Sequence, residues 1–288
     1  MKNSKKEKGE LDMKGKATVL CENCVFGNSG ALAEHGWSVY IESDQGNFLF
    51  DTGQGKTIIN NARHFKKDLS TLQGVIISHH HYDHTGGLLN VLEQTGKVDV
   101  YAHQKLFKNG YVKEDDVFIN TGIPFRREIL ESKGAQFKFN TGFKEIVPDL
   151  MLSGEIPRLT EYEKGSKRFL LKTDEGYTQD FIIDDQTLIA NTEKGLVIIL
   201  GCSHSGMINI INHIIDKTGQ SHIRTIIGGT HLGPASKETV EKTIQALKQF
   251  DIEKIGVSHC TGLETSVRLS QEFRDRFFFC NVGTEIKI

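Results

Sequence analysis

One segment of ten residues, which follows a short apolar run, limits the structure and the kind of site that this chain can form more than any other part of its sequence. Residues 78–87 read SHHHYDHTGG and directly follow the apolar run GVII. In an extended segment, residues i and i+2 point the same way, so His79 and His81 can bind one metal ion while His80 and Tyr82 point away. Asp83 and His84, at the turn into the next helix, can bind a second metal ion. Imidazole and carboxylate ligands suit zinc, iron or manganese better than calcium.

Three later histidines also follow apolar runs and stand close to glycine. They lie in GCSHSG (201–206), GGTHL (228–232) and SHCTG (258–262), after LVIIL, RTII and KIGV. Glycine lets the backbone turn tightly there and approach a ligand at the carboxyl ends of strands. We therefore predict His204 and His259 as metal ligands. His231 is predicted to be either a ligand or an acid/base that faces the substrate.

The alternation of strands and helices predicts the fold class. Strand patterns precede and follow two amphipathic helical patterns in the first half, and the order of strand, helix and strand returns in the last third. Two strand-rich halves with helices outside predict an α/β, four-layer αββα sandwich with the site at one edge of the two sheets. Residues 1–16 are expected to be a flexible lead, residues 17–288 a single domain, and residues around 104–193 a turn-rich insertion within it.

Composition excludes several functional classes. The 35 Lys and Arg residues nearly balance 37 Asp and Glu residues, which argues against nucleic acid as the main partner. No apolar stretch has the roughly 20 residues of a membrane span, so no membrane partner is expected. Five cysteines without a dense framework, and no export signal, favour a cytoplasmic protein with free thiols. The pair Cys21 and Cys24 lacks a second ligand pair nearby, which disfavours a structural zinc site.

The motifs together resemble a known superfamily. Asp51-Thr52-Gly53, the HHHYDHTGG segment and the later His motifs are similar to the metallo-β-lactamase fold superfamily over nearly the whole chain from residue 17. GEIPR (154–158), DDQTL (184–188) and GCSHSGMINI (201–210) resemble a narrower family, which includes the 7,8-dihydropterin-6-yl-methyl-4-(β-D-ribofuranosyl)aminobenzene 5'-phosphate synthases. The resemblance implies the sandwich fold and one or two divalent metal ions, zinc first, with manganese or iron as alternatives.

The resemblance also implies roles for single residues. Asp51 is expected to orient a His ligand through its other ring nitrogen. The superfamily's usual bridging Asp is replaced here by Gly201-Cys202, so Cys202 as a thiolate or His204 takes its place, or the bridge is absent. Asp83 and His231 are the expected catalytic residues. From residue type and not from the resemblance, Arg158, Lys167 and Arg168 are candidates to bind a substrate phosphate, with Arg158 foremost, since Arg matches phosphate geometry. The alternative is that all three are solvated surface charges.

These expectations lead to one main functional hypothesis and two alternatives. The main hypothesis is a metal-dependent hydrolase or transferase that acts on a small phosphate or pyrophosphate ester, with a pterin-related substrate as one expectation. The first alternative is a hydrolase of a lactone, thioester or other carbon ester on the same fold. The second alternative, from another class, is a non-catalytic metal-bound sensor or binding module. The sequence leaves the oligomeric state open.

Overall fold

The fold is built on two large β-sheets, and the computed structural model describes residues 13–27 and 30–288. The strands of the first sheet are β1 (Gly15–Cys21), β2 (Ser38–Ser43), β3 (Gly46–Phe50), β4 (Leu72–Ile76), β5 (Val98–His103), β8 (Ala135–Asn140) and β18 (Glu285–Lys287). Their order is β18-β1-β2-β3-β4-β5-β8. The strands from β3 to β8 pair in parallel, so their carboxyl ends meet at one edge.

The second sheet has the same number of strands. It contains β9 (Lys144–Val147), β10 (Leu150–Leu152), β13 (Leu188–Thr192), β14 (Gly195–Ile199), β15 (Ile223–Gly229), β16 (Ile252–Ser258) and β17 (Phe277–Phe279). Their order is β17-β16-β15-β14-β13-β10-β9, and β14 to β17 pair in parallel. All five residues of β14 are buried, because this strand is covered on both faces.

Helices cover the outer faces of both sheets. They are α1 (Ile58–His64), α2 (Tyr82–Thr85), α3 (Leu88–Thr95), α4 (Arg127–Ser132), α5 (Met207–Thr218), α6 (Lys237–Leu247) and α7 (Leu263–Phe273). At the start of α6 the Ser236 hydroxyl accepts a hydrogen bond from the Thr239 backbone N–H, at 3.1 Å, which is a common N-cap arrangement. Within the described residues no helix is both long and apolar enough to cross a membrane.

Three apolar clusters show how the layers are held together. One lies between the two sheets and includes Trp37, Phe50 and Val197. A second lies between the first sheet and α1 and α3, and a third lies between the second sheet and α5, α6 and α7. Helix, sheet, sheet and helix therefore stack in that order. The predicted four-layer αββα sandwich is confirmed.

Two predicted boundaries need correction. Met13 is buried and β1 begins at Gly15, so residues 13–16 belong to the fold, where β1 lies between β18 and β2 of the first sheet. Residues 1–12 of the predicted lead lie outside the described residues. The range 104–193 is not one insertion, since β8 pairs with β5 and β10 pairs with β13.

Four strands of that range do form a separate layer. They are β6 (Gly110–Glu114), β7 (Val117–Asn120), β11 (Phe169–Thr173) and β12 (Gly176–Gln179), in the order β12-β11-β6-β7. We call this third sheet the cap sheet. The sequence did not reveal the antiparallel pairing of this sheet. Its strands are short and separated by polar turns, and the paired strands β6 and β11 are far apart in the chain.

Candidate metal centre

The predicted site residues converge at one edge of the sandwich. The segments that carry them follow β3 and β4 of the first sheet and β14, β15 and β16 of the second sheet. Parallel strands bring these carboxyl ends together, as the sequence argument requires. Residues more than 150 positions apart in the chain, such as His84 and His259, thereby come within 5.1 Å between ring centroids.

Three imidazoles form the first group of possible metal ligands. Nε2 of His79 lies 3.0 Å from Nδ1 of His81, and one nitrogen of His204 lies within 4.8 Å of a ligand atom of each. Burial, with a smaller contribution from neighbouring imidazoles, holds the pKa of all three rings well below the usual value. The rings are therefore neutral and offer lone pairs, which is the form that binds metal ions.

The second group contains a carboxylate and two imidazoles. Oδ2 of Asp83 lies 3.1 Å from Nε2 of His259 and 4.0 Å from Nε2 of His84. Burial raises the pKa of Asp83, but the charges and hydrogen bonds of His84, His259 and His35 outweigh it and hold that pKa well below its usual range. Asp83 is therefore a carboxylate that can bind a cation.

Asp51 orients ligands of both groups. Its Oδ2 accepts from Nδ1 of His84 at 2.6 Å and from the Ser78 hydroxyl at 2.7 Å. Because that hydroxyl donates its only hydrogen to a hydrogen bond with Asp51, its oxygen accepts a hydrogen bond from Nδ1 of His79 at 2.8 Å. In each imidazole Nδ1 then carries a hydrogen, and Nε2 is the nitrogen left to face a metal ion. Asp51 therefore fixes the orientation of both rings.

Cys202 lies between the two groups. Its Sγ is 3.1 Å from Nε2 of His84, and it also lies within 4.8 Å of ligand atoms of His79. Burial raises the pKa of this thiol well above its usual value. Binding a divalent cation would release the thiol proton. The thiol of Cys202 therefore lies beside possible metal ligands of both groups.

The donor set fits divalent metal ions. Nε2 of His81 and Nε2 of His204 are buried, and neither has a hydrogen-bond partner among the described residues. Burial lowers the pKa of His84, yet Asp51 and Asp83 outweigh it and raise that pKa to about 9. Without a metal ion His84 is therefore protonated at neutral pH, and an ion bound at Nε2 would replace one of its protons. Nitrogen, carboxylate and sulfur donors are the ligands that zinc prefers.

Four residues of this edge have a left-handed backbone. Asp51, Ser203, His231 and His259 have φ values of 57°, 58°, 51° and 52°. Residues other than glycine rarely adopt this conformation, and it concentrates at functional sites. Each of the four lies one to four residues beyond the end of a sheet strand.

His231 lines a cavity of about 310 Å³ next to the first ligand group. Its ring centroid is 4.3 Å from that of His204, and its Nδ1 has no hydrogen-bond partner within the described part of the chain. The ring centroid of Phe169, in the cap sheet, lies 5.0 Å from that of His81 and 5.2 Å from that of His204, so this ring covers the two imidazoles. The cavity wall also includes Met207, Leu232 and the cation Arg168.

Arg158 does not line this cavity, and its guanidinium bonds to backbone oxygens of the protein. Its Nη1 donates to the backbone oxygen of His204 and its Nη2 donates to that of Phe181. The guanidinium therefore fixes the loop that presents His204. Arg168, which the sequence argument ranked lower, is the arginine that lines the cavity.

A buried polar network lies behind the His segment. His80 points away from the ligand groups, as predicted, and its Nδ1 and backbone N–H both contact Asp184 at 2.9 Å. Lys108 bonds to Asp184 and, at 2.9 Å, to Asp180. Burial raises the pKa of Asp184, but His80 and Lys108 outweigh it and hold that pKa well below the usual range. This network fixes the backbone between two ligands.

Sequence reasoning missed two further residues at the site. His35 has its Nε2 3.1 Å from Oδ2 of Asp83, and Asn23 contacts Nδ1 of His259 at 2.9 Å. Asn23 lies inside the Cys21-x-x-Cys24 pattern, which drew attention to the cysteines. Both of these cysteines are free thiols.

Comparisons with known proteins agree with this geometry. Residues 32–259 match the model of the metallo-beta-lactamase superfamily. A Methanocaldococcus jannaschii protein named 7,8-dihydropterin-6-methyl-4-(beta-D-ribofuranosyl)-aminobenzene-5'-phosphate synthase is 30% identical over 94% of this chain and 96% of its own. Another protein of that organism, which has no assigned function, is 34% identical over 94% of this chain and 99% of its own.

A solved structure gives the same result. Tm1679, described as a metal-dependent hydrolase of the beta-lactamase superfamily, superposes with a TM-score of 0.81 at 29% identity. The match covers 95% of this chain and 99% of Tm1679. The family model, the relatives and this solved structure all indicate one superfamily. The chain belongs to the metallo-beta-lactamase superfamily.

Proposed function

We propose that this protein is a metal-dependent enzyme that acts on a small phosphate or pyrophosphate ester, by hydrolysis or by group transfer. The observation that carries the proposal is the position of the cavity. Its wall holds Arg168, His231 and His204, and His204 belongs to the first group of possible metal ligands. An anionic ester with an apolar body matches such a cavity, because cationic groups meet its phosphate and apolar side chains meet the remainder.

The ligands proposed for the metal ions follow from the two groups. His79, His81 and His204 would hold one ion, and Asp83, His84 and His259 would hold the other, with Cys202 between them. The ions are proposed to be zinc, since nitrogen and sulfur donors dominate. When bound, they supply charge that polarises a phosphate oxygen and lowers the pKa of water toward about 7.

The chain's own side chains have three tasks in this proposal. Arg168 binds the phosphate of the substrate with its guanidinium. His231 donates a hydrogen bond, and then a proton, to the leaving oxygen from Nδ1, the atom without a partner among the described residues. Phe169 covers the imidazoles and keeps bulk water away from them.

The name of the Methanocaldococcus jannaschii relative supports a pterin-linked phosphate as the first substrate to test. If a pterin-methyl pyrophosphate is the substrate, pyrophosphate leaves as a carbon or nitrogen nucleophile attacks the methyl carbon. If a phosphate ester is the substrate, water attacks phosphorus and the alcohol leaves. The same residues serve both reactions, because both develop negative charge on a leaving oxygen.

The proposal is tested by metal content and a substrate panel. We expect elemental analysis of protein purified without added metal to find close to two equivalents of zinc. We expect turnover of a phosphodiester or a pterin pyrophosphate that is lost on chelation and restored by zinc. Turnover of lactones or thioesters alone would reassign the protein to carbon-ester hydrolysis. Bound metal without turnover of any member would favour a metal-bound sensor or binding module.

Arg168→Ala provides a sharper test of the substrate class. We expect KM for a phosphorylated substrate to rise about 10-fold to 100-fold with little change in kcat, because a hydrogen bond to a charged group contributes about 1.5–3 kcal/mol. Lys167→Ala is the matched control, since Lys167 is an exposed neighbour that does not line the cavity. Equal KM values in the two variants would remove Arg168 from the proposed site.

A further inference from the structure

The short loop after β1 contacts His259, the residue of the second group that comes last in the chain. Oε1 of Glu22 accepts a hydrogen bond from the backbone N–H of His259 at 2.7 Å, and Oε2 accepts from that of Cys24 at 2.6 Å. Glu22 is buried. The two residues between Cys21 and Cys24, and not the cysteines, therefore connect the start of the chain to a histidine near its end.

The amide of Asn23 has a fixed orientation in this loop. The backbone N–H of Gly36 points at Oδ1 of Asn23 at 3.2 Å. A backbone N–H can only donate, so the atom that it contacts must be the amide oxygen. This assignment is independent of the neighbouring imidazoles. The amide nitrogen Nδ2 must then lie on the other side.

The fixed amide gives two neighbouring imidazoles opposite tautomers. Oδ1 of Asn23 lies 2.9 Å from Nδ1 of His259. Because an amide oxygen has no hydrogen, Nδ1 of His259 donates and Nε2 keeps its lone pair. Nδ2 of Asn23 lies 3.3 Å from Nδ1 of His35. That amide nitrogen donates, so Nδ1 of His35 accepts and Nε2 of His35 carries the hydrogen.

Both Nε2 atoms lie near the same carboxylate oxygen. Nε2 of His35 and Nε2 of His259 are each 3.1 Å from Oδ2 of Asp83. The Nε2–H of His35 donates a hydrogen bond to that oxygen. In a neutral ring Nε2 of His259 is an acceptor like this oxygen, and two acceptors at this distance repel each other unless a cation, a proton or a metal ion, lies between them. Distance alone makes all three residues possible ligands.

We propose that Asn23 is a positioning residue that assigns these tautomers. It presents His259 as a metal ligand, and it makes His35 a hydrogen-bond donor to Asp83 in place of a ligand. His35 is half-exposed at the rim of the site, so its N–H holds the carboxylate from the solvent side. The inference rests on the proposed function only in taking His259 as a metal ligand. It adds Asn23 and His35 to the residues that orient the site.

The tautomers are measured directly by long-range ¹H–¹⁵N NMR of the imidazoles in the full chain loaded with zinc. We expect His35 to carry its hydrogen on Nε2 and His259 to carry its hydrogen on Nδ1. In Asn23→Asp the carboxylate accepts from both rings, so His259 is unchanged and His35 gains a hydrogen on Nδ1 while it keeps the one on Nε2, which faces Asp83. Spectra of His35→Ala assign the His35 signals.

Asn120→Asp is the matched control for Asn23→Asp. Oδ1 of Asn120 also accepts from the backbone N–H of a glycine, Gly122, at 3.0 Å. We expect this control to leave both imidazoles unchanged. Asn23→Ala removes both amide contacts and should weaken zinc binding about 10-fold to 100-fold, whereas Asn23→Asp should keep most of the affinity. A competing chromophoric chelator measures this affinity.

The outcomes separate the inference from the proposed function. A hydrogen on Nδ1 of His35 in the unaltered protein, or no hydrogen gained on Nδ1 of His35 in Asn23→Asp, would overturn the inference even if two zinc ions are bound. If the protein binds no zinc, the proposed function fails. The tautomers of the metal-free protein then decide the role of Asn23, because its contacts do not involve the ion.

Discussion

Replacing His81 by alanine is expected to reduce bound zinc from about two equivalents to about one, and to lower kcat by about 10³-fold or more. His81 is buried beside His79 and His204, and its removal leaves the first group with two imidazoles. Losing the ion also removes its electrostatic stabilisation of the transition state, and the loss of even one such stabiliser lowers kcat by about 10²–10³-fold. Elemental analysis and steady-state kinetics measure both effects.

His222→Ala is the control for this variant. His222 contacts Asp251 and Glu253 at 2.8 and 3.1 Å on the surface, so its loss should change neither metal content nor kcat. Should His81→Ala keep both its second equivalent of zinc and full turnover, the proposed metal centre would be wrong. A loss of turnover with two zinc ions still bound would instead give His81 a role in substrate binding.

Replacing Asp184 by alanine is expected to lower the free energy of unfolding by about 3–5 kcal/mol, the usual cost of removing one partner from a buried ion pair. Asp184 is fully buried between Lys108 and His80, and its loss leaves Lys108 with Asp180 alone. Urea denaturation followed by circular dichroism measures the change. Zinc affinity should fall as well, because His80 lies between His79 and His81, the proposed ligands.

Asp184→Asn and Glu131→Ala are compared with Asp184→Ala, and both are expected to lose less free energy of unfolding. Asp184→Asn keeps an oxygen that accepts from the His80 backbone N–H, so its loss should be smaller than that of Asp184→Ala. Glu131 pairs with Arg127 on the surface of α4, with both side chains at least 40% exposed, and an exposed pair contributes about 0.3–0.5 kcal/mol. If Asp184→Ala lost no more than Glu131→Ala, the network would not stabilise the fold.

The layered fold and the meeting of the site residues were predictable from the sequence. Apolar runs such as LVIIL, and the polar residues just beyond them, identify buried parallel strands and the edge at which they end. His79, His81, Asp83, His84, His204 and His259 could be chosen on this basis, and the structure brings all six together. Their binding of metal stays a prediction.

Contacts between distant segments were not predictable. Arg158 was chosen for its chemistry, but its partners are backbone oxygens of His204 and Phe181, which no local pattern reveals. His35 lies in an irregular loop with no repeated spacing, so only the folded chain places it beside Asp83. The cap sheet depends on pairing between β6 and β11, and its polar strands carry little alternation.

The left-handed backbone at Asp51, Ser203, His231 and His259 has a consequence for how this protein can evolve. Glycine would relieve the strain at each position, but at Asp51, His231 and His259 it would delete a side chain of the proposed site, so selection for stability and selection for activity oppose each other there. Variants selected only for heat resistance should therefore gain glycine at these positions as activity is lost. Stabilising changes compatible with activity have to arise elsewhere, in helix ends and surface loops.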